Sequence, residues 1–269
     1  MKANECIEMN SRPLPLIGCC GWAGSQPQYF SQFPVIEIQS TFYDPPASKV
    51  AAHWRTIAPP KFEFCIKAWQ LITHSPTSPT YRRLRKPIDA DRSAFFGSFQ
   101  DTDEVWQAWL KTLEIAEAVR ASVVLFQCPA SFQATPPNIK NLFRFFHKIG
   151  PQSFRIAWEP RGPWPADVVR DLCARYCLIH CVDPLVSAPD RESAPYWRLH
   201  GKGSYSYRYT DEDLAELKNL LLHAPTEPQA RILFNNVTMK EDANRFRRLL
   251  DHTPLPGQAA QKLLPGDEG

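Results

Sequence analysis

Eight short apolar runs, many of them β-branched, recur along the chain and are separated by longer stretches with helical spacing, and this alternation limits the fold more than any other feature. The runs are Leu16–Cys20, Val35–Ile38, Phe62–Ile66, Val123–Phe126, Phe154–Trp158, Leu178–Val182, Tyr196–His200 and Arg231–Phe234. Strands that alternate with helices build parallel sheets, because a parallel pair needs a crossover long enough to hold a helix. Eight such units make a closed barrel, and no Gly-rich phosphate turn points to an open doubly wound sheet. The fold expected is α/β, a single TIM-like (β/α)8 barrel.

The helical stretches carry their own signals. Asp103–Ala121 opens with acidic residues and places Val105, Trp109, Leu113 and Ala116 on one face. Asn138–Ile149, Ala166–Tyr176, Asp211–Leu222 and Lys240–Leu250 read in the same way. The connection after the third strand, Ala68–Gln100, is too long for an ordinary βα turn, and loops of that length are commonly functional. The first connection, Trp22–Pro34, barely accommodates a short helix. The expected organisation is a tail over 1–14, a barrel over 15–252 and a disordered tail over 253–269.

Bulk properties exclude some classes. A net charge of +3 is compatible with an anionic ligand but falls short of a nucleic-acid-coating protein. The eight cysteines are spread along a chain with ample core, and residues 1–12 contain no apolar leader, so reduced thiols and a soluble, cytoplasmic protein with no membrane partner are expected. The even spacing of Cys173, Cys177 and Cys181 lacks the paired short spacing of structural zinc, and these residues are read as core cysteines. No dinucleotide fingerprint, P-loop, nucleophile elbow or H-E-x-x-H motif occurs, so no nucleotide cofactor is expected.

Strand parity then picks out a pocket. Inward and outward residues alternate, and barrel sites form at the C-terminal strand ends. This places Glu37 and Gln39 after strand two, Lys67 after three, Gln127 after four, Glu159 and Arg161 after five, and Asp183 after six. Arg198 and His200 follow on strand seven, with Asn235 and Asn236 after eight. Trp197, Leu199, Phe64 and Ile66 have the opposite parity and should face the helices. So many charges at one end are costly unless they serve a purpose, although a satisfied polar plug is the plainer alternative.

Arg161, Arg198 and Lys67 suit an anion, while Glu159, Asp183 and His200 suit proton transfer or a divalent metal, leaving the cofactor open. The long loop contributes His74 and the basic run Arg82, Arg83, Arg85 and Lys86, and the loop after strand seven contributes Tyr205, Tyr207 and Tyr209. Basic residues with nearby aromatics form a candidate nucleic-acid rim.

The chain resembles the YecE-like family, also called DUF72 or UPF0759, from about Leu16 to Leu250. The resemblance rests on Gly21-Trp22, Glu37-Ile38-Gln39-Ser40-Thr41-Phe42-Tyr43, Phe64-Cys65-Ile66-Lys67-Ala68 and Ile72-Thr73-His74. Phe126-Gln127-Cys128-Pro129, Trp158-Glu159-Pro160-Arg161, Val182-Asp183-Pro184, Arg198-Leu199-His200-Gly201 and Phe234-Asn235-Asn236 continue it in order. It implies a TIM-like barrel but no activity, and its link to nucleic acid rests on likeness to barrel endonucleases. The chain departs from the pattern in its shortened first connection and in Gln39, where asparagine is common. Three functions follow as expectations: an enzyme acting on a phosphorylated substrate, including a nucleic-acid phosphodiester; a non-catalytic nucleic-acid binder; and a sugar isomerase or lyase.

Overall fold

The computed structural model describes residues 13–189, 195–225 and 229–252. Eight parallel strands close into a barrel in sequence order: β1 (Leu16–Cys20), β2 (Val35–Ile38), β3 (Glu63–Lys67), β4 (Val123–Gln127), β5 (Arg155–Glu159), β6 (Ile179–Val182), β7 (Tyr196–Leu199) and β8 (Arg231–Phe234). β8 pairs back onto β1, with Gly18 opposite Leu233. The helices are α1 (Gln26–Gln32), α2 (Ser40–Tyr43), α3 (Ser48–Ile57), α4 (Gln70–Thr73), α5 (Asp103–Val119), α6 (Pro136–Ile149), α7 (Ala166–Tyr176), α8 (Asp211–Leu222) and α9 (Met239–His252). Among the described residues no helix separates β6 from β7. The expected tails, 1–14 and 253–269, lie outside the described residues except for Pro13 and Leu14.

The helices begin where side chains can satisfy their unpaired N–H groups. Thr102 and Thr135 accept from the third residue of α5 and α6, and Thr210 forms a reciprocal capping box with Asp213 at α8. Arg120 and Cys177 end α5 and α7 in the left-handed conformation. That position leaves Cys177 exposed, which corrects its reading as a core cysteine, while Cys173 is buried on α7 and Cys181 lies inside the barrel. No disulfide joins the described cysteines.

Parity divides the core in two. Ile36, Phe64, Ile66, Phe126, Trp158, Trp197, Leu199 and Phe234 pack outward against the helices. Val35, Cys65, Val123, Leu125, Ala157, Ile179, Tyr196 and Leu233 fill the barrel. The N-terminal end is closed by Glu63, which accepts from Arg231 at 2.7 Å and from the Ser122 hydroxyl at 2.8 Å.

The short first connection holds through one side chain. Tyr29 on α1 accepts from the Cys19 backbone N–H at 2.8 Å and donates to the Val35 carbonyl at 2.9 Å, bridging β1 and β2. The long connection after β3 is strapped down rather than loose. Gly97 and Phe99 N–H groups donate to Leu71 and Ile72 carbonyls, and the Tyr81 hydroxyl donates to the His74 carbonyl at 2.9 Å. No helix of the described residues is long and apolar enough to cross a membrane.

Gly18 on β1 pairs with Val35 on β2, and a Cβ there would collide with the Val35 carbonyl oxygen. Overpacking of a tight core costs about 1–3 kcal/mol, and here the obstacle is backbone, which gives little. Gly18→Ala should therefore lower stability by at least about 2 kcal/mol in urea unfolding; an unchanged midpoint would contradict this packing.

Candidate functional site

An open cleft of about 930 Å³ occupies the C-terminal end of the barrel. Its wall includes Gln39, Lys67, His74, Gln127, Glu159, Arg161, Asp183, Arg198, His200, Tyr205 and Asn235 among the residues expected from sequence. The strands deliver them by period two: Lys67, Gln127 and Glu159 are the last residues of β3, β4 and β5, and Arg198 is an inward residue of β7.

Arg198 organises the floor. It is 1% exposed and lies between two carboxylates, with Nη1 donating to Glu159 Oε2 at 2.5 Å and Nη2 to Glu37 Oε1 at 2.9 Å. Glu37 also accepts from the Tyr196 hydroxyl at 2.8 Å and from the Gln39 side-chain amide. Three donors thus hold it and it is fully buried beneath the cleft wall, so the expected substrate ligand is instead an anchor for Arg198. Tyr196 shares inward parity with Arg198, and that shared parity is the signal by which sequence could have found it.

The second oxygen of Glu159 faces the opening. Oε1 accepts from Arg161 Nε at 2.8 Å and lies 3.2 Å from His200 Nε2. Burial would raise the Glu159 carboxyl, but the charges of Arg198 and Arg161 and the His200 contact outweigh it and hold the group well below its ordinary value. Burial lowers His200, and Arg198 and Arg161 push the same way against the Glu159 hydrogen bond. The ring is therefore neutral at neutral pH. Both ring nitrogens face donors: Nε2 lies 2.8 Å from Arg161 Nη2, and Nδ1 lies 3.0 Å from Asn235 Nδ2, which like arginine only donates. On taking a proton, Nε2 would donate to Glu159.

Lys67 is a different kind of cation. It is 5% exposed, its Nζ lies 3.6 Å from the centre of the Phe42 ring face, and Nζ makes no hydrogen bond among the described residues. Burial, helped by the charge of Arg198, lowers its amine from 10.5 to about 7. His74 packs edge-on against the same Phe42 ring, with centroids 4.8 Å apart, and its Nδ1 is 2.7 Å from the Thr73 hydroxyl. Burial, then the Lys67 and Arg161 charges, lowers it to about 3, so this imidazole stays neutral throughout the physiological range. Phe42 and Thr73 lie on α2 and α4, four-residue helices too short to show a periodic pattern.

Other expected residues take structural positions. Asp183 lines the cleft, yet its oxygens accept from the His200 backbone N–H at 2.8 Å and the Leu185 N–H at 3.1 Å, fixing the end of β7; burial raises its carboxyl against those bonds. Asn236 points away from the cleft: its amide donates to the Tyr207 carbonyl and to Asp242 at 2.7 Å, which corrects its assignment as a substrate ligand. Tyr207 likewise donates to Asp213 at 2.6 Å and is off the cleft wall. Tyr205 is exposed at the mouth and donates to Asn235 at 2.7 Å. In the basic run Arg85 pairs with Asp44 and Arg83 lies over the ring of the cleft residue Tyr43, while Arg82 and Lys86 are exposed. Tyr209 is buried and accepts from the Gly201 N–H.

The divalent metal left open by the sequence does not fit this donor set. Among the described residues no three His, Cys, Asp or Glu side chains are grouped to hold a metal ion. Arginines and backbone N–H groups already engage the carboxylates of Glu37, Glu159 and Asp183.

A family model described as "Protein of unknown function DUF72" matches residues 16–265. The UPF0759 protein YunF of Bacillus subtilis is 21% identical over 253 residues, covering 83% of this chain and 84% of that protein. A DUF72 family protein of Enterococcus faecalis superposes with a TM-score of 0.65 at 18% identity over 88% of this chain and 98% of the other. Endonuclease IV of Thermus thermophilus reaches 0.53 at 15% identity over 89% of this chain and 100% of the other, a likeness of fold alone.

Two outcomes follow from the charges. Below pH 7 Lys67 is protonated both folded and unfolded, and the fold bears the full burial penalty; between pH 7 and 10.5 the unfolded chain still holds the proton the folded one has lost, so the penalty shrinks as pH rises. Lys67→Met should thus raise the melting temperature more at pH 6 than at pH 9, and equal gains would refute the lowered amine. In Arg161→Met, the His200 ring protons followed by NMR should titrate at higher pH than in the wild type, because a repelling cation is gone and Glu159 is freed to pair with the ring.

Proposed function

Because the chain belongs to the DUF72 family, whose description supplies no reaction, its activity has to be argued from the cleft, and we propose that it is an enzyme acting on an anionic, phosphorylated substrate. One observation carries the reading: the carboxylates are committed to partners within the wall, whereas Arg161 keeps donor capacity at the mouth. Glu159 is held by two arginines and Asp183 by two backbone N–H groups. Arg161 donates Nε to Glu159 and Nη2 toward His200 yet remains 39% exposed at the mouth, and among the described residues Lys67 Nζ has no hydrogen-bond acceptor. A phosphate at the mouth would give Arg161 a further acceptor, its planar fork suiting the phosphate oxygens, and the more buried Lys67 would face the rest of the substrate.

The same arrangement offers a proton route. His200 is neutral and its Nε2 touches both Arg161 and Glu159. A proton taken from substrate would convert the ring to a cation beside an ionised carboxylate, which stabilises the charge as it forms. Glu159 thus positions and stabilises, and His200 accepts. Asp183 holds the backbone that bears His200 and does no proton work in this reading.

A nucleic-acid phosphodiester is the larger member of the same ligand class. The exposed Arg82 and Lys86 and the exposed Tyr205 at the mouth favour it as the second reading, with contacts beyond the cleft.

Thermal shift separates these. Inorganic phosphate or a sugar phosphate at about 100 times its Kd should add about 2.7 kcal/mol of stability, and Arg161→Ala should abolish the effect. If only oligonucleotides shift the protein, and the shift is lost in the Arg82→Ala/Lys86→Ala double variant but kept in Arg161→Ala, the small-molecule reading fails.

A further inference from the structure

Lys67 and His74 play no part in the proton route just described, yet they share one corner of the cleft. Both rest on Phe42, the ammonium over its face and the imidazole against its edge. Among the described residues neither Lys67 Nζ nor His74 Nε2 has a hydrogen-bond partner, although both residues are at least 95% buried. Lys67 ends β3 and His74 follows α4 on a segment pinned by Gly97, Phe99 and Tyr81, so both are rigidly held.

We propose that Lys67 is a nucleophile that forms an imine with a carbonyl carbon of the substrate, and that His74 donates a hydrogen bond from Nε2 to the carbonyl oxygen. The proposal rests on the anionic-substrate reading for the rest of the ligand: Arg161 would hold the phosphate and the Phe42 corner would hold the carbonyl. The substrate class is therefore a phosphorylated aldehyde or ketone.

The chemistry balances without a co-reactant. The Nζ lone pair attacks the carbonyl carbon, the C=O π pair moves to oxygen, and one proton passes from nitrogen to that oxygen, giving a carbinolamine. Expulsion of the hydroxyl together with the remaining Nζ proton releases one water and leaves a neutral C=N bond to Nζ. An amine that is desolvated and placed near another cation is neutral enough to attack at neutral pH, which is the usual way a lysine is activated for this step. Lys67 fits both conditions, buried and facing the Arg198 charge, with Glu159, Glu37 and Arg161 as the other charged groups around it. His74 fits the electrophile. If the Thr73 hydroxyl donates to Nδ1, the ring proton is on Nε2, and an imidazole that does not protonate remains a donor to the developing oxyanion.

The test is reductive trapping on the full chain. The protein is incubated at pH 7 with glyceraldehyde 3-phosphate or with unphosphorylated glyceraldehyde, reduced with borohydride, and mapped by peptide mass spectrometry. The expected result is an adduct on Lys67 at least tenfold faster than on the exposed Lys86. Adduct formation should be blocked by excess inorganic phosphate, absent from Lys67→Arg, and slowed in His74→Ala while the Lys86 background is unchanged. Because the site is mapped in the wild type, the result does not depend on the variants folding. Labelling of Lys67 no faster than Lys86 would overturn the proposal. If phosphate shifts the melting temperature through Arg161 but Lys67 is not labelled, the imine fails and the anionic-substrate reading stands. If glyceraldehyde labels Lys67 as fast as its phosphate and phosphate does not protect, the lysine chemistry stands and the anionic reading fails.

Discussion

A single guanidinium buried in the barrel sets the rest of the site. Taking Arg198 out of water costs several kcal/mol, and only close carboxylates with good geometry offset that. Glu37 on β2 and Glu159 on β5 supply them, so three strands spread around the barrel converge on one cation. The carboxylates in turn need Arg198, and Glu37 is further fixed by Tyr196 and Gln39. Removing any one partner leaves an uncompensated charge in the interior. The arrangement stabilises the fold less than it constrains where each polar atom can be.

That constraint reaches the cleft through Glu159. With Oε2 committed to Arg198, Oε1 is presented to Arg161 and His200. The two arginines hold Glu159 ionised, while burial, reinforced by the Arg198 charge, lowers both His200 and Lys67. Burial and one pair of cations together thus separate an acid, a base and an amine. Sites that need several protonation states at one pH are built by pushing neighbouring pKa values apart in this way.

Much of this was legible in the sequence because strands write a period of two. The alternation in Tyr196-Trp197-Arg198-Leu199 says which side chains enter the barrel, and the structure places Trp197 and Leu199 outside and Tyr196 and Arg198 inside. Parity gives direction but not depth, so Glu37, sealed beneath the cleft, could not be told from Asn235, which reaches it. Period two also separates Asn235 from Asn236, two residues expected together in the pocket: Asn235 faces the cleft and Asn236 faces Asp242. The helix α3 was hidden inside a connection after Pro45-Pro46, and the Phe42 platform sits on a single turn where no periodicity exists. The basic run read as one unit, but Asp44, 41 residues from Arg85 in sequence, engages one member of it.

The two ends of the barrel show why the site belongs at the C-terminal face. At the N-terminal end Arg231, Glu63 and Ser122 form a compact set in which Glu63 Oε2 accepts from both groups. At the other end polar atoms are left over. The buried side-chain atoms without partners among the described residues are Trp69 Nε1, Gln70 Oε1, Arg198 Nε and Asn236 Oδ1, all in the C-terminal half of a strand or just beyond it. A natural sequence tends to satisfy its buried polar groups and to break that rule where function requires it. In this chain the break is confined to the end that holds Lys67 without an acceptor and Arg161 half open to solvent, so the unsatisfied polarity and the cleft coincide.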